Sequence, residues 1–278
     1  MAVLLKSREL SSHWYSQSGE PAHRVSKKTG DGDRATTITD ARRLGLLPSV
    51  TNVLGVLSKP QLEKWKMRQV ALASLRVQPK AQEEPAEYFA ERVIDEAFQQ
   101  VEDAADLGTK IHSALEQGLG GESYNDEMAV YVEPVFRWKA EKRIEFTARE
   151  LVVVNTEGGY AGKCDVFFTY GKGGMGILDF KTKKTEPGKV PDAYPEFGMQ
   201  LAAYAAIRFG VEALPNVLAA NVVISTTEPG RMEIVKHENL PALYRCFMNA
   251  CEVWRFLKGY DPRLANNQGA QGLSLIHI

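Results

Sequence analysis

The stretch GGYAGKCDVFFTYGKGGMGILDFKT (residues 158–182) decides the fold, because it reads as two apolar strands joined by a short glycine-rich turn. Asp165 lies inside the first apolar run and Asp179 inside the second, and Lys181 follows two residues later. Strand interiors disfavour aspartate, and a buried carboxylate is costly unless it is paired or binds a metal. The pattern therefore predicts that some arrangement of charges compensates for these three residues.

Side chains on a strand alternate between faces, so Asp179 and Lys181 share one face and Phe180 lies on the other. In an antiparallel pair, opposed side chains come within about 5 Å, which would bring Asp165 close to Asp179. Two such carboxylates repel each other unless a cation lies between them. Together with a main-chain carbonyl they suit Mg²⁺ or Mn²⁺, which serves phosphodiester hydrolysis. The simpler alternative is that Asp179 and Lys181 form a surface ion pair.

The order of elements along the chain predicts its organisation. Helical patterns, then three strands, then a helix, a hairpin and a last helix indicate an α/β domain over residues 46–262. We expect a central mixed β-sheet flanked by helices, with added helices on the N-terminal side. Residues 1–45 are predicted to be an extension, with a possible hairpin over residues 13–25 that turns at residues 18–20 and a loop over residues 26–37. Residues 263–278 are predicted to be a disordered tail, whose end, LSLIHI, resembles a translated sequencing adapter.

The composition restricts the class of protein. A net charge of −1 gives no overall basic field, so a nucleic acid partner would need a local patch. The 3 cysteines lack C-x-x-C spacing, which argues against an iron–sulfur cluster or a four-cysteine zinc site. No apolar run approaches the roughly 20 residues of a membrane span. The sequence therefore predicts no membrane partner and a cytoplasmic protein, in a bacterial host cell.

Several short motifs stand in a fixed order: PSVTNVL at 48–54, GTKIH at 108–112, GKCD at 162–165, DFK at 179–181 and QLAAY at 200–204. In this order they resemble the RecB-type branch of the PD-(D/E)XK nuclease superfamily, which carries G-T-x-x-H, G-x-x-D, D-x-K and Q-x-x-x-Y motifs. PSVTNVL is similar to the N-terminal segment of phage exonucleases and of the mitochondrial genome-maintenance exonuclease. The resemblance covers roughly residues 46–210 and implies a restriction-endonuclease-like core.

The resemblance also implies a metal centre. Asp165, Asp179 and the carbonyl of Phe180 would bind Mg²⁺ or Mn²⁺, and His112 would add a ligand from a helix. Lys181 would position the attacking water. Without the motif, a helical histidine such as His112 is more often an ordinary core or surface residue.

Further residues are implied around that centre. Glu150, in the strand before the quoted stretch, is a candidate third catalytic carboxylate, or else a solvated charge. Gln200 and Tyr204 are four residues apart and share a helix face, where they would contact the DNA strand or only pack the helix on the sheet. Lys183 and Lys184 would follow the phosphates, although lysine-rich loops are usually just solvated.

The sequence thus predicts a metal-dependent deoxyribonuclease with an exonuclease bias, acting in phage or bacterial recombination, repair or replication. Its partner would be DNA that is single-stranded or has a free end, with a phage recombination or replication protein as a further partner. Two alternatives stay open. One is a catalytically silent DNA-binding module on the same fold, and the other is a metal-dependent hydrolase of small phosphate esters.

Overall fold

The computed structural model describes residues 13–27, 30–192 and 194–264, and within helix α4 the side chains of residues 100–104 are not described. The predicted tail therefore lies outside the described residues except for Arg263 and Leu264. The strands are β1 (Trp14–Tyr15), β2 (Arg24–Ser26), β3 (Asp33–Ala35), β4 (Leu47–Pro48), β5 (Glu145–Asn155), β6 (Tyr160–Tyr170), β7 (Gly174–Lys183), β8 (Val217–Ser225) and β9 (Met232–His237). The α-helices are α1 (Ile38–Leu44), α2 (Val50–Leu54), α3 (Pro60–Ala73), α4 (Ala86–Gly120), α5 (Ala129–Glu141), α6 (Pro195–Phe209) and α7 (Leu240–Lys258).

A 5-stranded sheet in the order β5-β6-β7-β8-β9 forms the centre. The β5–β6, β6–β7 and β8–β9 pairs are antiparallel, whereas β7 and β8 are parallel. A parallel pair needs a crossover connection, and α6 lies in the segment that provides it here. The predicted mixed sheet flanked by helices is confirmed.

Helices cover both faces of the sheet, as the alternation of side chains along β6 and β7 requires. Phe167 and Ile177 belong to a buried cluster shared with α2, α6 and α7. Val166, Phe168 and Leu178 belong to a second buried cluster shared with α4 and α5. The two strands that carry the aspartates are therefore enclosed from both sides.

Local signals fixed several element boundaries. The Ser49 hydroxyl caps α2 by accepting a hydrogen bond from the Asn52 N–H at 3.0 Å. Pro60 begins α3, and α4 passes Gly108 without a break. The loop predicted over residues 26–37 was partly wrong, since β3 lies within it and pairs with β2. Across the described ranges, the helices are all too short or too polar to cross a membrane.

Candidate active site

Strands β6 and β7 separate at one end, and both aspartates lie where they separate. Their antiparallel register ends with the pair Val166 and Leu178, so the next pair would be Asp165 and Asp179. At that position the Phe180 N–H donates to the Asp165 side-chain carboxylate at 2.7 Å instead of to a main-chain carbonyl of β6. Because β6 continues alongside β5 and β7 continues alongside β8, the two strands form a fork around the aspartates.

On the β7 side of the fork, Asp179 is compensated by two donors. Its side chain is 6% exposed, and its Oδ2 atom lies 2.7 Å from Lys181 Nζ. The Asn221 side-chain amide donates to the same oxygen at 2.7 Å, because Asn221 is the register partner of Asp179 on β8. His237 Nε2 lies 2.6 Å from Asn221 Oδ1 and donates to it, which fixes the orientation of the amide. Asp179 is therefore buried and Lys181 is partly buried, with 25% of its side chain exposed, so the two do not form a surface ion pair.

Sequence reasoning missed Asn221 and His237. The available signal was a single asparagine inside the apolar run VLAANVVIS, which is the same kind of signal that identified the aspartates. A glycine supports the arrangement, since a Cβ at Gly198 of α6 would come within 2.8 Å of His237 Nδ1. The small residue lets α6 pack closely against β9.

On the β6 side of the fork, Asp165 is less well compensated. Burial and the nearby Asp179 carboxylate raise the pKa of Asp165 to about 8, although the Phe180 N–H and Lys181 act in the opposite direction. For Lys181, burial is the largest single influence and lowers the pKa, but the Asp179 and Asp165 carboxylates act in the opposite direction and the net direction is upward. Lys181 is therefore a charged ammonium, and the Asp165 carboxylate has too little positive charge beside it to offset its burial.

His112 lies on α4 and lines the same cleft as the aspartates. Burial and the neighbouring Lys181 lower the pKa of His112, which favours the neutral ring that can bind a metal. One turn earlier, a Cβ at Gly108 would come within 2.7 Å of Thr182 Oγ1. Glycine at this position thus lets α4 approach β7, which explains the first residue of the GTKIH motif.

Gln200 and Tyr204 are both buried on α6, and Gln200 Nε2 donates to the Tyr204 hydroxyl at 3.5 Å. Burial raises the pKa of Tyr204 well above its ordinary value, so the phenol is neutral. A Cβ at Gly162 would come within 2.7 Å of the Tyr204 ring. The glycine of the GKCD motif and the tyrosine of the QLAAY motif therefore pack against each other.

Glu150 lies at the same level of the sheet as Asp165, on the neighbouring strand. Arg149 pairs with Val166 and Leu151 with Cys164, while Glu150 between them has a φ of +49°. This left-handed conformation is strained for a residue with a side chain. Glu150 forms an ion pair with Lys163.

The two lysines predicted to contact phosphates differ. Lys183 Nζ donates to the Asp192 carbonyl at 3.0 Å and lies 4.1 Å from the centre of the Tyr194 ring. Burial lowers the pKa of Lys183. Lys184 is exposed. Lys184 is therefore better placed than Lys183 to contact a ligand.

A cleft of about 690 Å³ is lined by His112, Gln200 and Tyr204, whereas Glu150, Lys183 and Lys184 do not line it. Asp165, Asp179 and Lys181 line it, and so do Ser49 and Thr51 of the PSVTNVL motif. His13, Tyr15, Pro21 and His23 also line it, although the sequence assigned residues 1–45 to an extension outside the nuclease domain.

The donors suit a hard cation. Mg²⁺ is commonly held by one or two carboxylates, with water and substrate phosphate as its other ligands. Asp165 and Asp179 with a nearby main-chain carbonyl match that requirement, and the raised pKa of Asp165 indicates missing positive charge. Within the ranges that the structure describes, no group of three or more His, Cys, Asp or Glu side chains is arranged to hold a metal. The residues thus fit an open carboxylate site and not a full protein cage.

Comparisons with known proteins add little. No family model matches the chain, and no curated protein matches it. Among solved structures, the chain is similar to the crystal structure of SSO0001, with 14% identity and a TM-score of 0.31 over 76% of this chain and 92% of that chain. A similarity this low leaves the argument to the site itself.

Proposed function

We propose that the protein is a Mg²⁺- or Mn²⁺-dependent deoxyribonuclease of the PD-(D/E)XK type, with a preference for free DNA ends. One observation carries the proposal: Asp165, Asp179 and Lys181 converge on one cleft at the fork between β6 and β7. The close packing of Gly108 on Thr182 and of Gly162 on Tyr204 supports it, because these contacts join the separate sequence motifs into one site. Recombination, repair or replication would be the setting.

The residues divide the work as follows. Asp165, Asp179 and the Phe180 carbonyl would hold the cation, and His112 is a candidate further ligand that does not form a ready three-ligand group with the two aspartates. When bound, Mg²⁺ or Mn²⁺ supplies the positive charge that polarises a phosphodiester. The Lys181 ammonium donates hydrogen bonds to the attacking water and to the negative charge that develops in the transition state. Lys184 contacts the flanking phosphates.

Intact Asp165, Asp179 and Lys181 favour this function over a silent DNA-binding module, which has no need for the costly buried charges. A hydrolase of small phosphate esters needs the same centre but no contact with a polymer. Salt separates the two, since DNA binding releases counterions and weakens as salt rises.

The deciding experiment is digestion of end-labelled DNA, single- and double-stranded, linear and circular, with Mg²⁺, Mn²⁺, Ca²⁺ or EDTA. We expect linear DNA to be degraded with Mg²⁺ or Mn²⁺, and Ca²⁺ to support binding without cleavage. Covalently closed single-stranded circles should survive. Asp165→Asn should abolish cleavage, whereas the matched variant Asp31→Asn, in an exposed loop, should retain it.

Three results would count against the proposal. Full cleavage in excess EDTA would show that the reaction does not depend on a metal ion. Rapid loss of circular DNA would make the protein an endonuclease. Hydrolysis of a small phosphate diester without salt-sensitive binding of oligonucleotides would indicate the small-ester hydrolase.

A further inference from the structure

Three aromatic side chains near the N-terminus form one wall of the cleft. The His13 and His23 rings stack with centroids 4.5 Å apart and planes 22° apart. The Tyr15 ring meets His23 edge-on, with centroids 5.1 Å apart. All three residues line the same cleft as Asp165 and Lys181. We call His13, Tyr15 and His23 the aromatic wall.

The aromatic wall is held firmly in place. The main-chain N–H of Trp14 donates to His23 Nδ1 at 3.1 Å, which sets the orientation of the His23 ring. The Ser49 N–H donates to the His13 carbonyl at 2.9 Å, so the strand pair β1–β4 and the cap of α2 anchor the segment. The buried Trp14 ring packs on Trp254 of α7. A ligand would therefore meet a preorganised surface.

The chemistry of the wall fits a flat apolar ligand better than a phosphate. His13 is exposed, while His23 supports one face of its ring. Burial and the neighbouring His13 lower the pKa of His23, so that ring is neutral and adds no positive charge. Aromatic side chains, histidine included, bind unpaired bases by stacking, and such contacts tolerate any base.

The size of the cleft also favours an unpaired nucleotide as the ligand. A volume of about 690 Å³ is that of a small-ligand pocket. A base in a duplex already stacks on its neighbours and pairs across the helix, so its faces are hidden. Only an unpaired nucleotide can place its phosphate near Asp165 and Asp179 and its base against His13.

We propose that the aromatic wall stacks an unpaired nucleobase beside the scissile phosphate, so that the substrate class is a single strand recognised by base as well as by phosphate. The inference rests on the proposed nuclease function and adds a base subsite to it. Cleavage of duplex ends would then require the terminal pair to open first.

The test compares two single strands of equal length and charge in Ca²⁺, where cleavage does not interfere. One is a fluorescent oligothymidylate and the other carries abasic residues at all positions, and fluorescence anisotropy measures both affinities. We expect the wild-type protein to prefer the base-containing strand by about tenfold, a typical effect of one stacking contact. His13→Ala should lose most of this preference by weakening only the base-containing complex.

Two further variants separate stacking from other roles. His13→Phe keeps the ring and removes the nitrogen atoms, so it should retain the preference. Tyr88→Ala removes an exposed aromatic residue on α4 that does not line the cleft, and it should change neither affinity.

The outcomes are distinct. Equal affinity of the wild-type protein for both strands overturns the base subsite, with no variant needed. Equal weakening of both strands by His13→Ala, without rescue by His13→Phe, indicates a phosphate contact and also overturns it. If linear single strands are still cleaved with Mg²⁺ in either case, the nuclease proposal stands alone. If the wild-type protein binds neither strand, both proposals fail.

Discussion

The two sides of the fork carry the same residue type and treat it differently. On the β7 side, Asp179 receives the Lys181 ammonium and the Asn221 amide, each at 2.7 Å. On the β6 side, Asp165 receives the single N–H of Phe180, and its pKa rises to about 8. Protein groups thus offset the cost of burying one carboxylate and leave the other short of positive charge. That imbalance is what a cation-binding site requires before the cation arrives.

Removing the well-compensated carboxylate should have the largest effect on stability. Asp179→Ala leaves the Lys181 ammonium and the Asn221 amide without their acceptor. A broken buried pair costs about 3 kcal/mol in the free energy of unfolding. Urea denaturation in EDTA measures this, with Asp31→Ala in an exposed loop as the unchanged control. A loss below about 1 kcal/mol would mean that the contacts of Lys181 and Asn221 with Asp179 contribute little to stability.

Removing Lys181, the positively charged member of this pair, should mainly affect turnover. Lys181→Ala deletes the donor to the attacking water, so cleavage with Mg²⁺ should fall on the order of 10²-fold or more. Oligonucleotide affinity in Ca²⁺ should stay nearly constant. Lys172→Ala, in the exposed turn between β6 and β7, is the matched control. If activity fell only in proportion to folded protein, Lys181 would be a structural residue.

A third prediction concerns His112 on α4. If His112 completes the metal site, His112→Ala should raise the Mg²⁺ concentration for half-maximal cleavage on the order of tenfold. Thermal melting in EDTA should change little, since the ring is not part of the buried core. An unchanged Mg²⁺ titration would show that His112 does not bind the metal and is an ordinary residue of the helix.

The fork also predicts a pH dependence without metal. Because the pKa of Asp165 is about 8 in the folded protein and about 4 when unfolded, this group stabilises the fold below about pH 4. That contribution is lost as the pH rises through 8. Wild-type stability in EDTA should therefore fall over this window, while Asp165→Asn, which can still accept from the Phe180 N–H, should fall less. We expect the variant to be more stable by on the order of 1 kcal/mol above pH 8.

Urea denaturation at pH 5 and pH 8.5 measures the difference, and Asp31→Asn provides a carboxylate control. Adding Mg²⁺ should stabilise the wild-type protein at the higher pH and leave the variant unchanged. Equal pH slopes for both proteins would show that Asp165 is already compensated.

The sequence predicted the strands of the fork well, because β6 and β7 combine apolar alternation with a short turn between them. It could not predict Asn221 as a partner of Asp179. That contact depends on the register of the parallel β7–β8 pair, and residues joined through a crossover helix carry no local signal of their register. Nor could it predict why Gly108 and Gly162 are glycines, since the reason is a close approach between distant elements.

The N-terminal segment shows a second limit. Turn residues around Gly19 correctly indicated a reversal of the chain, and Ala22 N–H does return to the Trp14 carbonyl. Turn signals say nothing about the surface on which a segment packs. His13 and His23 therefore looked like part of an extension, although they line the cleft. The division of the chain at residue 46 remains a prediction.

The smallest expected effect belongs to Glu150, which flanks the under-compensated side of the fork. Its partner Lys163 is half exposed, and exposed ion pairs contribute about 0–1 kcal/mol. Glu150→Gln should therefore change stability by less than about 0.5 kcal/mol and cleavage by only a few-fold. A loss of activity comparable to that of Lys181→Ala would instead make Glu150 the third catalytic carboxylate.

The backbone at Glu150 offers a second measurement, because glycine in a strand usually costs about 0.5–1 kcal/mol relative to alanine. At a φ of +49° that order should reverse, so Glu150→Gly should be at least as stable as Glu150→Ala in urea denaturation. If alanine were the more stable residue, Glu150 would adopt an ordinary extended conformation, and the strain beside Asp165 would not exist.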